Sequence, residues 1–226
     1  MLEDAVPKPR ASSSPFLRAL DLLFVQAFKS HGSLYFLCVH GHGEDGATVA
    51  RRMLEIEIQA RYLCADTAEQ EIRGQKFLAY FWAQAPNRIK AAGSDAERAK
   101  WQTGYDANKH LLLRPSGHQI RNWWGDDKIK QLANLPGVGL KDAYDQDFRV
   151  LSQMAHCTSQ GILFRRAGDV MEIRTDILVS EILIFGTRYI LDVTRLWNGQ
   201  FNLIDGVDLA QLSSEAERFV FQMSSA

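Results

Sequence analysis

Residues 47–64 read ATVARRMLEIEIQARYLC, and Val49, Met53, Ile56, Ala60 and Leu63 recur there at steps of four and three. That is the period of an α-helix with one buried face; a half-buried strand would alternate every second residue. Asp45, just upstream, has the side chain of an N-cap. The same period continues outward in both directions. Residues 15–29 place Phe16, Leu20, Leu23, Phe24, Ala27 and Phe28 on one face, and Ser33 to His40 reads as a continuation or a separate turn. The glycine-broken run HGHGEDG at 40–46 separates this region from the next helix. Downstream, helical patterns cover 67–84 up to Pro86, 94–113 up to Arg114-Pro-Ser-Gly117, 118–135 up to Pro136-Gly137, and 140–157. Asp176 is placed to cap a long apolar helix to Asn198, and a last helix fits Leu209 to Met223. One segment, 161–174, reads instead as a small β-hairpin around Ala167-Gly-Asp169. The expected fold is therefore all-α, a bundle of seven or eight helices with the helix from Asp176 to Asn198 at its centre. Residues 1–14 read as a flexible tail and 15–226 as a single helical domain.

Composition bounds what such a bundle does. The 226 residues are 46% hydrophobic and 23% charged, with a net charge of −1. These values exclude wholesale disorder, collagen-like repeats, a disulfide scaffold and a uniformly basic nucleic-acid coat. Three cysteines, Cys38, Cys64 and Cys157, with no CxxC pair, argue against a disulfide frame and a structural zinc site. The start of the chain lacks a basic-then-apolar leader. The apolar stretch 177–197 is interrupted by Glu181, Arg188, Asp192 and Arg195, so it reads as a buried helix rather than a membrane span. A reduced cytoplasm, with no membrane partner, is the expected setting. Charge is uneven: nine Lys or Arg stand against five Asp or Glu between Pro86 and Lys130. That excess is either a solvated set of helix faces or a basic face for phosphate.

Five constellations are candidates for chemistry. In RVLSQMAH, residues 149–156, Arg149, Ser152 and His156 share one helical stripe, because seven positions turn about 700° and rise about 10.5 Å. A guanidinium can fork onto a phosphate, and an imidazole can take a proton from a ribose hydroxyl and return one. Together they form a minimal kit for cutting RNA without metal. The bland alternative is a hydrogen-bonded histidine between helices and an exposed arginine. Arg51 and Glu55 are four apart on a mostly apolar helix, either a surface pair or a partly buried pair that registers a neighbour. His40, His42 and Glu44 could begin a site for a metal-dependent hydrolase, though solvated loop residues are the plainer reading; no metal and no cofactor are expected. Cys157 stands next to His156 but about 100° away around the helix, so adjacency does not make a nucleophile pair. Trp123-Trp124 reads as core or interface packing.

Several of these residues fall into one order: Arg51-x3-Glu55, Trp124-Gly125, Ile129-x2-Leu132-Ala133, Tyr144, and Leu151-Ser152-x3-His156. This order resembles a family of bacterial helical proteins known as domain of unknown function five-six-seven-seven, over roughly Phe16 to Trp197. Phe148 stands where a second tyrosine is expected. The resemblance implies a helical fold and a shared polar site built from Arg51, Glu55, Tyr144, Ser152 and His156. More distantly, the Arg149/His156 stripe is similar to that of the HEPN superfamily, many of whose members are metal-independent ribonucleases in toxin, defence and RNA-processing systems. That similarity implies RNA as partner and a homo-oligomer with its cleft between protomers. Arg149 would hold the scissile phosphate, His156 would act as base or acid, and Ser152 would orient one of them. Val150 departs from the pattern, in which a polar residue often follows the arginine. Non-catalytic members imply the alternative, a binding or dimerisation module with a structural Arg/Glu/Ser/His network.

Overall fold

The computed structural model describes residues 14–155, 166–167, 170–171, 179–206, 208–212, 214–215 and 218. The tail expected at 1–14 therefore lies outside the described residues except for Ser14, which belongs to the first helix. Its hydroxyl accepts from the Leu17 amide at 3.2 Å and caps α1, Pro15–Val39, with Pro15 where a helix needs no donor. Ser33 to His40 continues that helix. Gly41, at φ 75°, turns the chain into α2, Gly43–Cys64. The cap of α2 is His42 rather than Asp45, which sits with Glu44 in the first turn and favours the positive end of the helix. α3 spans Gln70–Ala79, a 3₁₀ turn follows at Tyr80–Gln84, and α4 runs Ala85–Ala91. Pro86 begins α4 instead of ending a helix, because its missing donor costs nothing in a first turn. α5, Asp95–Leu112, is capped by Ser94 accepting from Glu97.

The helix expected over 118–135 shrinks to α6, Ile129–Ala133. Upstream, the isolated bridges Leu113↔Gln119 and Asn122↔Gly125 and a positive φ at Gly117 and Gly125 fold 113–128 into turns. These turns drive Trp123 into the core, where its indole N–H donates to Gln59 at 2.8 Å. The helical stretch near 140–157 is α7, Lys141–Ala143, a π-helical turn at Tyr144–Phe148, and α8, Arg149–Ala155. The hairpin expected near 161–174 is an antiparallel ladder of β1, Arg166–Ala167, and β2, Val170–Met171. The last long helix, α9, is described over Val179–Phe201; Asp176, its expected cap, lies outside the described residues.

The fold is all-α, and α1, α2 and α9 pack on one another at its centre. The expected central helix, α9, is one wall. α2 takes the middle: Ala47, Ala50, Met53, Leu54, Ile58, Ala60 and Leu63 are fully buried around most of its circumference. Its alanines let neighbours come close, whereas Glu181, Arg188 and Arg195 keep one side of α9 in water. Gly186 of α9 faces Leu34 of α1, and Gly74 of α3 faces the backbone at Phe16; a Cβ at either would collide. α1 is long and apolar enough to cross a membrane by length and composition, but Phe16, Leu20, Leu23, Phe24 and Ala27 are core residues here. Each such burial contributes about 1.5–3 kcal/mol for the larger side chains. Trp197 is buried against Phe24, ring centroids 4.4 Å apart, and its N–H donates to Asp21 at 3.1 Å.

Candidate functional site

The π-turn at Tyr144–Phe148 widens the helix by one residue per turn and sends its side chains two ways. On one side Tyr144, Asp145 and Phe148 join Lys130 of α6 and Arg149, Ser152 and Gln153 of α8 around an open groove of about 600 Å³. Tyr144 and Phe148 stack at 4.4 Å, and the Arg51 guanidinium of α2 lies over Phe148 at 4.3 Å. Arg51 also pairs with Glu55 at 3.6 Å, both side chains about one-third exposed. This is the partly buried pair, not a plain surface pair. Burial raises the Glu55 carboxyl although Arg51 and Arg52 pull it down. Burial, reinforced by the Glu55 charge, raises the Tyr144 phenol. The structure thus brings Arg51, Glu55, Tyr144, Arg149 and Ser152 to one place.

Bonding capacity is left over in this groove. The Arg149 guanidinium is exposed and has no hydrogen bond or ion pair among the described residues. The Ser152 hydroxyl oxygen is buried and has no hydrogen-bond partner among the described residues. Asp145 is engaged: Lys130 and Lys141 each donate to one of its oxygens at 2.9 Å, and those bonds hold its carboxyl well down, at about 2. His156 and Cys157 lie outside the described residues, so the expected Arg149–His156 pairing is not part of this geometry. Lys130, Asp145 and Gln153 escaped the sequence reading, and Phe148 entered it only as the residue standing in place of a second tyrosine.

The other side of the turn meets α9. Asp147, 8% exposed, accepts from Arg188 and, at 3.0 Å, from the buried Tyr189 hydroxyl. Beside them Glu57, 1% exposed, accepts from Arg61 at 2.8 Å. Arg61 reaches Asp192 at 3.2 Å, and Arg195 holds the other Asp192 oxygen at 2.8 Å. Burial pushes the Glu57 carboxyl up to about 7 against the pull of Arg61. This second cluster was also missed. Its signals were the i,i+4 pairs Glu57/Arg61 and Arg188/Asp192, which look like ordinary solvated pairs without knowledge of the α2–α9 contact.

Outside these two clusters the geometry is simpler. Among the described residues no group of three or more His, Cys, Asp or Glu could hold a metal ion. Cys38 and Cys64 are free, and burial pushes both thiols up to about 11, where they are poor nucleophiles. Trp123 packs edge-on to Trp124 at 5.6 Å, as core packing requires. Of the basic residues between Pro86 and Lys130, Arg98 pairs with Asp95, Lys109 with Asp106 and Arg114 with Asp126, which leaves the net basic excess of that stretch unchanged.

A family of unknown function (DUF5677) matches residues 18–169, two-thirds of the chain, and the chain belongs to that family. The match holds every motif from Arg51 to His156 and ends short of Trp197. Neither the curated proteins nor the solved structures contain a match.

Proposed function

We propose that this member of the DUF5677 family is a metal-independent endoribonuclease that works in the groove formed by α6, the π-turn and α8. One observation carries the reading: among the described residues the Arg149 guanidinium and the buried Ser152 hydroxyl have no partner, and both residues line a single open groove. Buried polar groups are bonded in folded proteins, so a hydroxyl and a guanidinium that both lack a partner among the described residues supply bonding capacity for an anionic ligand. Arg149 holds the scissile phosphate. His156, seven residues on in the chain, takes the proton of the ribose 2′-hydroxyl. The 2′-oxygen attacks phosphorus, the bond to the 5′-oxygen breaks, and that oxygen takes up a proton from an imidazole. The products are a 2′,3′-cyclic phosphate and a 5′-hydroxyl, and no water is consumed. Ser152 orients the phosphate. Pairing of two copies across the groove would supply a second imidazole as the acid.

Purified protein is incubated with mixed cellular RNA and a chelator. Arg149→Ala and His156→Ala should each lose about 10²–10⁴-fold in rate with an unchanged melting curve. Wild-type activity in either folded variant ends the proposal. A second reading, a non-enzymatic module, draws on the half-buried Arg51–Glu55 pair stacked on Phe148. It requires that His156→Ala cost about 1–3 kcal/mol of stability by leaving partners unsatisfied, with no RNA cleavage by the parent chain.

A further inference from the structure

The groove holds an anion of its own. Asp145 stands in its wall, with Lys130 on one carboxylate oxygen and Lys141 on the other, each at 2.9 Å. Two lysines on two oxygens of one anion is the arrangement a phosphate would take. All three side chains are at least one-third exposed, so the contact is screened and contributes little net energy to the fold. Both lysines carry flexible stems that can follow a replacement anion. Four residues further on is Arg149, which holds no anion among the described residues. The two cationic positions therefore lie about one helical turn apart, with the Tyr144–Phe148 stack beside them.

We propose that Lys130 and Lys141 form a second phosphate subsite of this groove, occupied in the free chain by the Asp145 carboxylate, which an incoming oligonucleotide displaces. The inference rests on the ribonuclease reading and deepens it. It makes the ligand a chain with at least two adjacent phosphates, not a mononucleotide. It also makes Asp145 an internal competitor whose removal strengthens binding. The low proton affinity of Asp145 fits this role, since the carboxylate stays charged and seated throughout the ordinary pH range.

The test uses the full chain and a fluorescently labelled ten-nucleotide RNA with 2′-O-methyl groups, which cannot be cleaved through the 2′-oxygen. Anisotropy titrations compare the parent, Asp145→Asn, Lys130→Gln/Lys141→Gln and the triple variant. Asp142, whose charge also reaches Lys141, supplies a charge-matched control, Asp142→Asn. Asp145→Asn should bind about 3–10-fold more tightly, with a steeper salt dependence as the freed lysines meet phosphates. The double lysine variant should bind less tightly than the parent, and adding Asp145→Asn to it should give no gain. Inorganic phosphate should compete only weakly. The proposal is overturned if Asp145→Asn binds no better than the parent. It is equally overturned if the gain persists without the lysines or is matched by Asp142→Asn, since either result reduces it to bulk charge. If these gains fail while Arg149→Ala and His156→Ala still abolish cleavage, the subsite falls and the nuclease stands. If the gains appear while both of those variants cut normally, the nuclease falls and the subsite stands. Absence of binding by the parent and by Asp145→Asn removes both.

Discussion

Two charged clusters share the turn at Tyr144–Phe148 and differ in one property. At the α2–α9 seam the charges are matched to partners. Asp147 is held by Arg188 and Tyr189, Glu57 by Arg61, and Asp192 by Arg61 and Arg195. In the groove a guanidinium and a buried hydroxyl stand without partners among the described residues. Both clusters are rich in Arg and acid, so charge content does not separate them. Leftover bonding capacity does. A complete buried network fixes how two helices register, whereas an incomplete one costs stability unless a ligand completes it. The π-turn joins them physically, because holding Asp147 against α9 is what aims Tyr144 and Phe148 into the groove.

The sharpest way to break that contrast is to open the completed network. Asp147→Ala strips the acceptor from a buried tyrosine and a carboxylate from Arg188, and should cost about 2–4 kcal/mol in urea denaturation. The Arg188 side chain is 48% exposed, which keeps the figure below that of a fully buried pair. A loss under about 0.5 kcal/mol would make the seam as dispensable as surface charge. Next in size is the pH dependence of Glu57. Its carboxyl sits at about 7 in the fold against an ordinary 4.5, so between those values the folded chain keeps a proton that the unfolded chain has lost. Stability therefore falls as pH rises through that window and is flat above it. A shift of this size corresponds to about 3 kcal/mol at most. Denaturation at pH 5 and pH 8 should show that fall in the parent and not in Glu57→Gln. The difference between the two curves also removes His31, whose lowered pKa tilts stability the other way. Equal slopes would mean that Arg61 keeps Glu57 charged.

Period alone carried the helices far. The spacing of Val49, Met53, Ile56, Ala60 and Leu63 was enough for α2, and Ser94 was enough for the start of α5. Period could not rank the helices by depth. Residues 176–198 are the more apolar run, yet α2 is central because its alanines admit neighbours on several sides. Nor could it see that 113–128 folds into turns, since Gly125 and the Asn122 bridge act locally against a pattern that looks helical. At the site, Arg51, Glu55, Arg149 and Ser152 were legible because each lies at helical spacing within its own segment, and Tyr144 was legible through the order of the family motifs. Lys130, Asp145 and the Glu57–Asp147 cluster depend on contacts between segments and on a π-turn that shifts register by one residue. A single-helix wheel shows the pairs Glu57/Arg61 and Lys141/Asp145 but not what packs against them.

The smallest expected effect is also the one that discriminates best. Ser152→Ala deletes a buried hydroxyl that has no hydrogen-bond partner among the described residues. In a finished network that change would leave another group unsatisfied and lower stability. Here it removes a desolvation cost and installs a better helix former in α8, so stability should rise by about 0.5–1 kcal/mol. On the proposed reading cleavage should slow in the same variant, because the hydroxyl, which has no partner among the described residues, would orient the bound phosphate. A gain in stability together with a loss of activity is the signature of a group kept for a ligand at the expense of the fold. A loss of 1 kcal/mol or more would mean that the hydroxyl finds a protein partner in solution. The groove would then be a second piece of scaffold, and the distinction between the two faces of the turn would disappear.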